Sequence, residues 1–307
     1  MKTKNLRSEN NCLNCGNIVE VRFCSHCGQE NLILDLPFYF AFLSYFQTKA
    51  KYDKNLIKST KTLIKEPGFL TKEYTKGRRA SHLEPVRFYI AVSFIVFFVT
   101  SFLYSLHHTQ SFRFYYEPED DMQILTEDVV SKMDQNALQE HPNVYFLYHP
   151  FYEKLLSLKK EGWSDDLISE KLLSKFVNNI PTALFLYLPV FALVLWIFSD
   201  RKNYTYFINS IFSIHYFTLL IISFFVWYLL ESLQIISKID FIDQVIMFLQ
   251  YGIIIFVIFH FVIAYKKFFD KKGITGVITA VGLLSFNLLL FSLLLISLLY
   301  YTFITME

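Results

Sequence analysis

From Gly273 to Met306 the chain runs for thirty-four residues without one charged side chain. A helix of about 20 such residues, rising ~1.5 Å per residue, already crosses the ~30 Å hydrocarbon layer of a bilayer. Four other stretches are built the same way: Phe88 to Leu106, Ile180 to Phe198, Tyr206 to about Leu230, and Val245 to Tyr265. Five crossings are therefore expected, the last tilting or projecting beyond the membrane because of its length. The expected fold is an all-α polytopic membrane protein of about five transmembrane helices. With 53% apolar and 19% aromatic residues, a single soluble domain, a disordered tail protein and a collagen-like chain are excluded.

Lys and Arg are retained on the cytoplasmic side of short loops, which orients the spans. Arg78, Arg79 and Arg87 precede the first span, Arg201 and Lys202 follow the second, and Lys266, Lys267, Lys271 and Lys272 follow the fourth. The opposite short loop has only Lys238, with Glu231, Asp240 and Asp243. Regional charge agrees: residues 1–87 carry 15 Lys/Arg against 8 Asp/Glu, and residues 106–176 carry 7 against 13. The N-terminus is expected in the cytosol and the C-terminus outside. Trp196, Trp227, Tyr300 and Tyr301 lie where interfacial aromatic belts form.

Residues 1–31 are polar and lack the apolar core of a secretory signal, which keeps them in the reducing compartment. All four cysteines lie there, Cys12 and Cys15 in CLNCG and Cys24 and Cys27 in FCSHCG. Disulfides do not persist in such a compartment, whereas two CxxC pairs hold a zinc ion tetrahedrally. Gly16 and Gly28 follow the second cysteine of each pair and relieve the backbone where it wraps the ion. A small zinc ribbon is expected, folded by its metal and closed to substrate, since four thiolates leave no open position. His26 reads as an exposed turn residue. Only Arg22 is basic between the pairs, so nucleic acid is not an indicated partner.

From Asp53 to Lys65, at 100° per residue, Lys54, Lys58, Lys61 and Lys65 share one face, and Leu56, Ile57, Leu63 and Ile64 share the other. Such a helix can lie in the cytoplasmic interface, lysines at anionic headgroups and keel among acyl chains, or pack its keel on the protein's own spans. Pro67 is expected to open a further short helix that Gly77 closes, ahead of the basic Arg78 and Arg79. The aromatic piece Leu36 to Phe46 is too short to span and reads as a third interfacial helix.

The paired knuckles, the segment LIKEPGFLTKEYTKGRRASHLEPVRFY, and PTALFLYLPVFALVLWIFSDR followed by FSIHYF together resemble the bacterial membrane proteins grouped as domain of unknown function 3667. The resemblance covers the first 100 residues well and the second and third spans less closely. It implies a zinc-ribbon protein of the bacterial inner membrane with several C-terminal spans, and it implies no activity. Within it, Cys12, Cys15, Cys24 and Cys27 match the ribbon cysteines. Gly77, Arg78 and Pro85 match the basic turn before the first span, and His215 matches a histidine of the third. This chain has Ile208 and Asn209 where relatives tend to show a polar pair.

Ionisable groups at membrane depth are costly and mark functional positions. His215 and His260 fall at comparable depths, about 13 and 9 Å from the cytosolic side, on neighbouring spans of opposite direction. They read first as neutral histidines hydrogen-bonded between helices or snorkelling near the interface, and second as a facing proton or metal site in the inner leaflet with Asn209 as helper. Asn287 is expected to bond a neighbouring helix. The outside segment has a helix capped by Ser164, and its acidity reads as a solvated face; His107, His108, His141 and His149 fit no standard metal spacing. There is no HExxH, Walker A loop, GxSxG elbow or dinucleotide fingerprint, and no nucleophile with a recognisable base.

These observations divide the chain into residues 1–31 (zinc ribbon), 32–86 (cytosolic amphipathic and interfacial helices), 87–106 (first span), 107–179 (acidic extracytoplasmic segment) and 180–307 (four further spans). The favoured function is a membrane-anchored adaptor presenting the ribbon and basic helices to a protein partner or to membrane lipids, with spans that anchor and can oligomerise. A small transporter or channel using His215, His260 and Asn209 is the second reading. A reporter active only outside the cytoplasm is expected to be active when fused after Glu307 and silent when fused at Lys272; activity at Lys272 alone would reverse the orientation, and activity at both would remove the last crossing.

Overall fold

The computed structural model describes residues 6–31, 54–107, 126–237 and 240–306. The aromatic piece Leu36 to Phe46, Asp53 and His108 lie outside them, as do the side chains of Lys54 and His107. Among the described residues the helices follow in the order α1 (Lys54–Lys65), α2 (Phe69–Thr75), α3 (Pro85–His107), α4 (Glu127–Glu140), α5 (Tyr145–Lys160), α6 (Asp165–Phe198), α7 (Tyr206–Ser237), α8 (Asp240–Phe268) and α9 (Gly273–Ile304). The described residues form two compact units, Met1–Ser111 with Leu188–Ser285, and Phe112–Tyr187 with Phe286–Glu307.

Among the described residues four helices are long and apolar enough to cross a membrane, namely α3, α7, α8 and α9. The expected second span is the end of a longer helix. No loop separates the Ser164-capped helix from it: α6 runs 34 residues without a break and ends in the apolar stretch Thr182–Phe198. Once a helix is nucleated each added residue costs little, so the charged outer turns simply continue the apolar ones. Ser164 caps as expected, its Oγ accepting from the Leu167 amide at 3.2 Å.

In the first unit α7 is the central helix. Two-thirds (67%) of its apolar window is buried, against 28% for α3 and 22% for α8. Every residue from Asn209 to Leu219 is buried, so this stretch is enclosed on all sides. Its hydroxyls satisfy themselves on the preceding turn, Ser210 donating to the Tyr206 carbonyl, Ser213 to Asn209 and Thr218 to Ile214. Phe191 at the end of α6 stacks on Tyr216 at 5.7 Å and meets Phe217 and Phe261 edge-on, and Phe212 stacks on Phe268 at 5.4 Å. In the second unit α4 and α5 form a hairpin whose Val130, Leu155 and Leu158 pack with Ile168 of α6 and with Phe303 and Met306 at the end of the chain. There Tyr187 donates to the Asn287 carbonyl at 2.6 Å, so Asn287 is joined to a neighbouring helix as expected.

Pro67 does not open α2. Gly68 intervenes in the left-handed region (φ 79°), and α2 begins at Phe69. A Cβ at Gly68 would lie 2.9 Å from the Ala264 carbonyl oxygen, so the α1–α2 elbow rests directly on the backbone of α8. Gly162 is also left-handed (φ 84°) but has nothing within 4 Å. Gly162→Ala therefore is expected to cost only the conformational penalty of about 1–2 kcal/mol, and Gly68→Ala a further ~1–3 kcal/mol from overpacking. Thermal unfolding in detergent would measure this; equal shifts for the two variants would remove the contact from the account.

Candidate metal centre and its docking platform

The N-terminal module is one turn used twice. Cys12 N donates to Asn17 O and Gly16 N to Cys12 O; twelve residues on, Cys24 N donates to Gln29 O and Gly28 N to Cys24 O. Gly16 and Gly28 have φ of 80° and 74°, which only glycine adopts at little cost. The strands of a full ribbon are reduced to two isolated bridges, Asn11 with Ile18 and Phe23 with Glu30. Eight residues between the cysteine pairs leave no length for more.

The two turns face each other so that all four Sγ atoms lie within 4.8 Å of one another, with Cys12 and Cys24 buried. The Cys12–Cys27 and Cys15–Cys24 separations are 3.5 and 3.6 Å, far beyond the ~2.05 Å of a disulfide. The backbone amide of Cys27, then that of His26, points at the Cys24 sulfur and lowers its thiol pKa to about 6, against desolvation. Amide donors aimed at sulfur stabilise thiolate, the form that binds metal. Together these four residues could hold a metal ion, and they are the only such group among the described residues. His26 takes no part in it.

The module is not loosely tethered. Gln29, directly after the second turn, grips the basic turn that leads into α3. Its Oε1 accepts from the amides of Arg79 and Ala80 at 2.9 and 3.1 Å, and its Nε2 donates to the Gly77 carbonyl at 2.7 Å. Asn14, inside the first turn, accepts from the Ser81 hydroxyl at 2.9 Å. That basic turn is in turn held by α1, where buried Ser59 accepts from the Leu83 amide and Lys58 donates to the Ser81 carbonyl. Neither Gln29 nor Asn14 stood out in the sequence. The twelve-residue repeat, which puts Asn17 and Gln29 in the same position, was the available signal.

The amphipathic helix divides its keel. Leu63 is buried and Leu56 half-buried against the protein, whereas Ile57 is 77% exposed and Ile64 is exposed beside Lys61 and Lys65. The lysine face is accordingly narrower than its sequence pattern: Lys58 is committed to Ser81, Arg78 pairs with Glu73 at 3.0 Å, and Arg79 lies 4.8 Å over the Tyr74 ring. Burial, then Lys58, lowers the His82 pKa, so this imidazole adds no positive charge at neutral pH.

His215 and His260 do not bond each other, and Asn209 is not with them. His215 Nδ1 shares a 2.9 Å hydrogen bond with Thr71 Oγ1 of α2. His260 Nε2 donates to the Leu63 carbonyl of α1 at 2.8 Å, which fixes its tautomer. The last four carbonyls of a helix have no partner within it; Thr62 is met by the Glu66 amide and Leu63 by His260. Both histidines line a cavity of about 10 Å³ with Leu63, Thr71 and Ala264, room for about one water. Asn209 instead donates to Ser199, Tyr204 and Thr205, closing the loop before α7. The structure thus carries the reading of two histidines hydrogen-bonded between helices, each to a partner on α1 or α2, and not that of a site shared with Asn209.

Gln29→Ala is expected to leave the metal bound while releasing the 77–81 turn, seen as faster amide hydrogen exchange at Arg79 and Ala80. Cys24→Ser is expected to lose both metal and protection. Each lost hydrogen bond is worth ~1 kcal/mol, or roughly fivefold in local exchange. Unchanged exchange in Gln29→Ala would refute the docking.

No curated protein and no solved structure matches the chain. A family model described as "Protein of unknown function (DUF3667)" matches residues 53–97, which comprise α1, α2 and the first half of α3. The match is narrower than the resemblance read from the sequence and does not include the cysteines. It falls on the elbow that the histidines hold, and on that segment the chain is similar to the DUF3667 family.

Proposed function

We propose that the protein is an adaptor of the bacterial inner membrane, presenting a zinc-loaded double knuckle on a cytosolic platform to a protein partner. The ion is zinc. Tetrahedral Zn–S bonds of ~2.3 Å require sulfur separations of about 3.8 Å, between the 3.5 and 3.6 Å of the two close pairs and the 4.8 Å that bounds the cluster. Four soft thiolates select such an ion over hard cations. Thr182–Phe198 serves as a further crossing, giving five spans with the N-terminus in the cytosol and the C-terminus outside, in accord with the lysines and arginines of the short loops.

The observation that carries the reading is the rigid attachment of the knuckles to the membrane-entry turn by Gln29 and Asn14. A module used only as a tether would not require it. The outer rim of the knuckles exposes Ile18 (72%), Val21 and Phe23, an apolar contact surface for a protein. Arg22 lies 5.4 Å over Phe23 and pairs with Glu30, so its charge is turned to the module's own residues. On α1, exposed Ile57, Ile64, Lys61 and Lys65 suit an anionic leaflet beside the anchor.

The test is crosslinking in native membranes followed by purification. Proteins recovered with the natural chain are expected to be lost from Cys24→Ser, which cannot fold the knuckles, and from Val21→Asp, which keeps its metal and alters only the rim. Membrane insertion is expected to be unchanged in both. Recovery of the same proteins from all three would sink the adaptor reading.

A further inference from the structure

The outside segment reads as a solvated acidic face, yet the tip of the α4–α5 hairpin is apolar. Phe146 is 69% exposed and Leu147 51%, with Leu138, Val144 and Tyr148 exposed around them. A patch of this kind on a soluble surface marks an interaction site. What covers it follows from its position along α9. The Tyr300 hydroxyl donates to the Leu147 carbonyl at 3.0 Å, Phe303 stacks on Phe151 at 4.5 Å, and Met306 packs in one cluster with Leu155 and Leu158. Three successive contacts in the same order show that α5 climbs alongside the last turns of α9 in the same direction. Residues before Leu147 therefore lie at the level of the turn before Tyr300, where Ile296 and Leu299 of α9 are themselves exposed.

The depth of that turn can be counted. Lys271 and Lys272 mark one headgroup layer, and from Gly273 to Tyr300 the helix rises about 40 Å. A bilayer measures ~40–45 Å including both headgroup layers. Tyr300 thus falls in the opposite headgroup layer, at the depth where tyrosines collect. Only 11% of the apolar window of α9 is buried in the protein, so its flank is a lipid-facing surface, and the hairpin tip continues that surface. Exposed Glu140 and His141 beside the tip suit the headgroups rather than the acyl chains.

We infer that the α4–α5 tip is a membrane-seating surface: Phe146, Leu147, Val144 and Tyr148 insert into the interface of the bilayer's outer leaflet, and phospholipid is their partner. The word outer rests on the orientation proposed above; the seating does not. It gives the protein a membrane contact besides its spans.

Phe146→Cys, with Leu147→Cys as a second variant, and Glu161→Cys at the far end of α5 supply the test, since all three side chains are exposed and their loss opens no core. Labelling is by a membrane-impermeant maleimide, in intact cells and in vesicles of phosphatidylethanolamine and phosphatidylglycerol containing the purified protein alone. The thiolate reacts and a low-dielectric setting suppresses it, so Phe146→Cys and Leu147→Cys are expected to react about tenfold or more slowly than Glu161→Cys in both settings. Equal rates overturn the seating. Protection in cells that vanishes in vesicles assigns the tip to a protein and overturns it, as does protection that fades when the lipid-to-protein ratio is raised, which assigns it to a second copy. If Glu161→Cys reacts only after permeabilisation, the orientation fails, and the ratio of rates measured in permeabilised membranes still decides the seating.

Discussion

The hydrogen bonds from two buried histidines to α1 and α2 join these amphipathic helices to the long apolar ones. Helix α1 ends with carbonyls that nothing in the helix can satisfy, and its C-terminal turn is pressed against α8 where water has little access. An unmet carbonyl there costs on the order of 1–3 kcal/mol. His260 meets it, His215 meets Thr71 one elbow further on, and Gly68 lets the elbow approach the α8 backbone closely enough for both. Without these contacts α1 and α2 would be amphipathic helices near a membrane; with them they are part of the span bundle.

A chain of contacts follows from that joint. Ser59 and Lys58 of α1 hold the 81–83 backbone, the adjoining turn receives Gln29, and Gln29 closes the second cysteine turn. A four-residue metal cage has almost no hydrophobic core of its own, so its placement depends on polar contacts that are individually small. Ordering the cage orders Gln29 and Asn14, and ordering those fixes the entry to α3. A metal ion held by the four cysteines would thus be linked to the span bundle without any ligand from it.

The lipid has an equally direct part. Helices α3, α8 and α9 leave most of their apolar windows outside the protein, and only α7 is enclosed. A fold of this kind is completed by the bilayer, which supplies the surface that a soluble protein would have to bury internally. The hairpin tip belongs to the same economy: its aromatic residues adjoin the lipid-facing flank of α9 and not the core that Val130, Leu155 and Leu158 make.

The sequence by itself determined the apolar segments, the metal cage and the two-faced character of α1, because each depends on residues near one another along the chain. Hydrophobic length, a CxxC spacing and a 100° period are local quantities. It also marked His215 and His260 as residues that need a reason to be buried. Which reason applies was decided only by the tertiary structure, since Thr71 and His215 are 144 residues apart and Leu63 and His260 are 197 apart. No local pattern records which orphaned carbonyl a distant imidazole will meet. The same holds for the division of the α1 keel, for Gln29, and for the apolar hairpin tip within an acidic segment. Each is set by which helix packs beside which, and that follows from close packing across the whole bundle rather than from any run of neighbours.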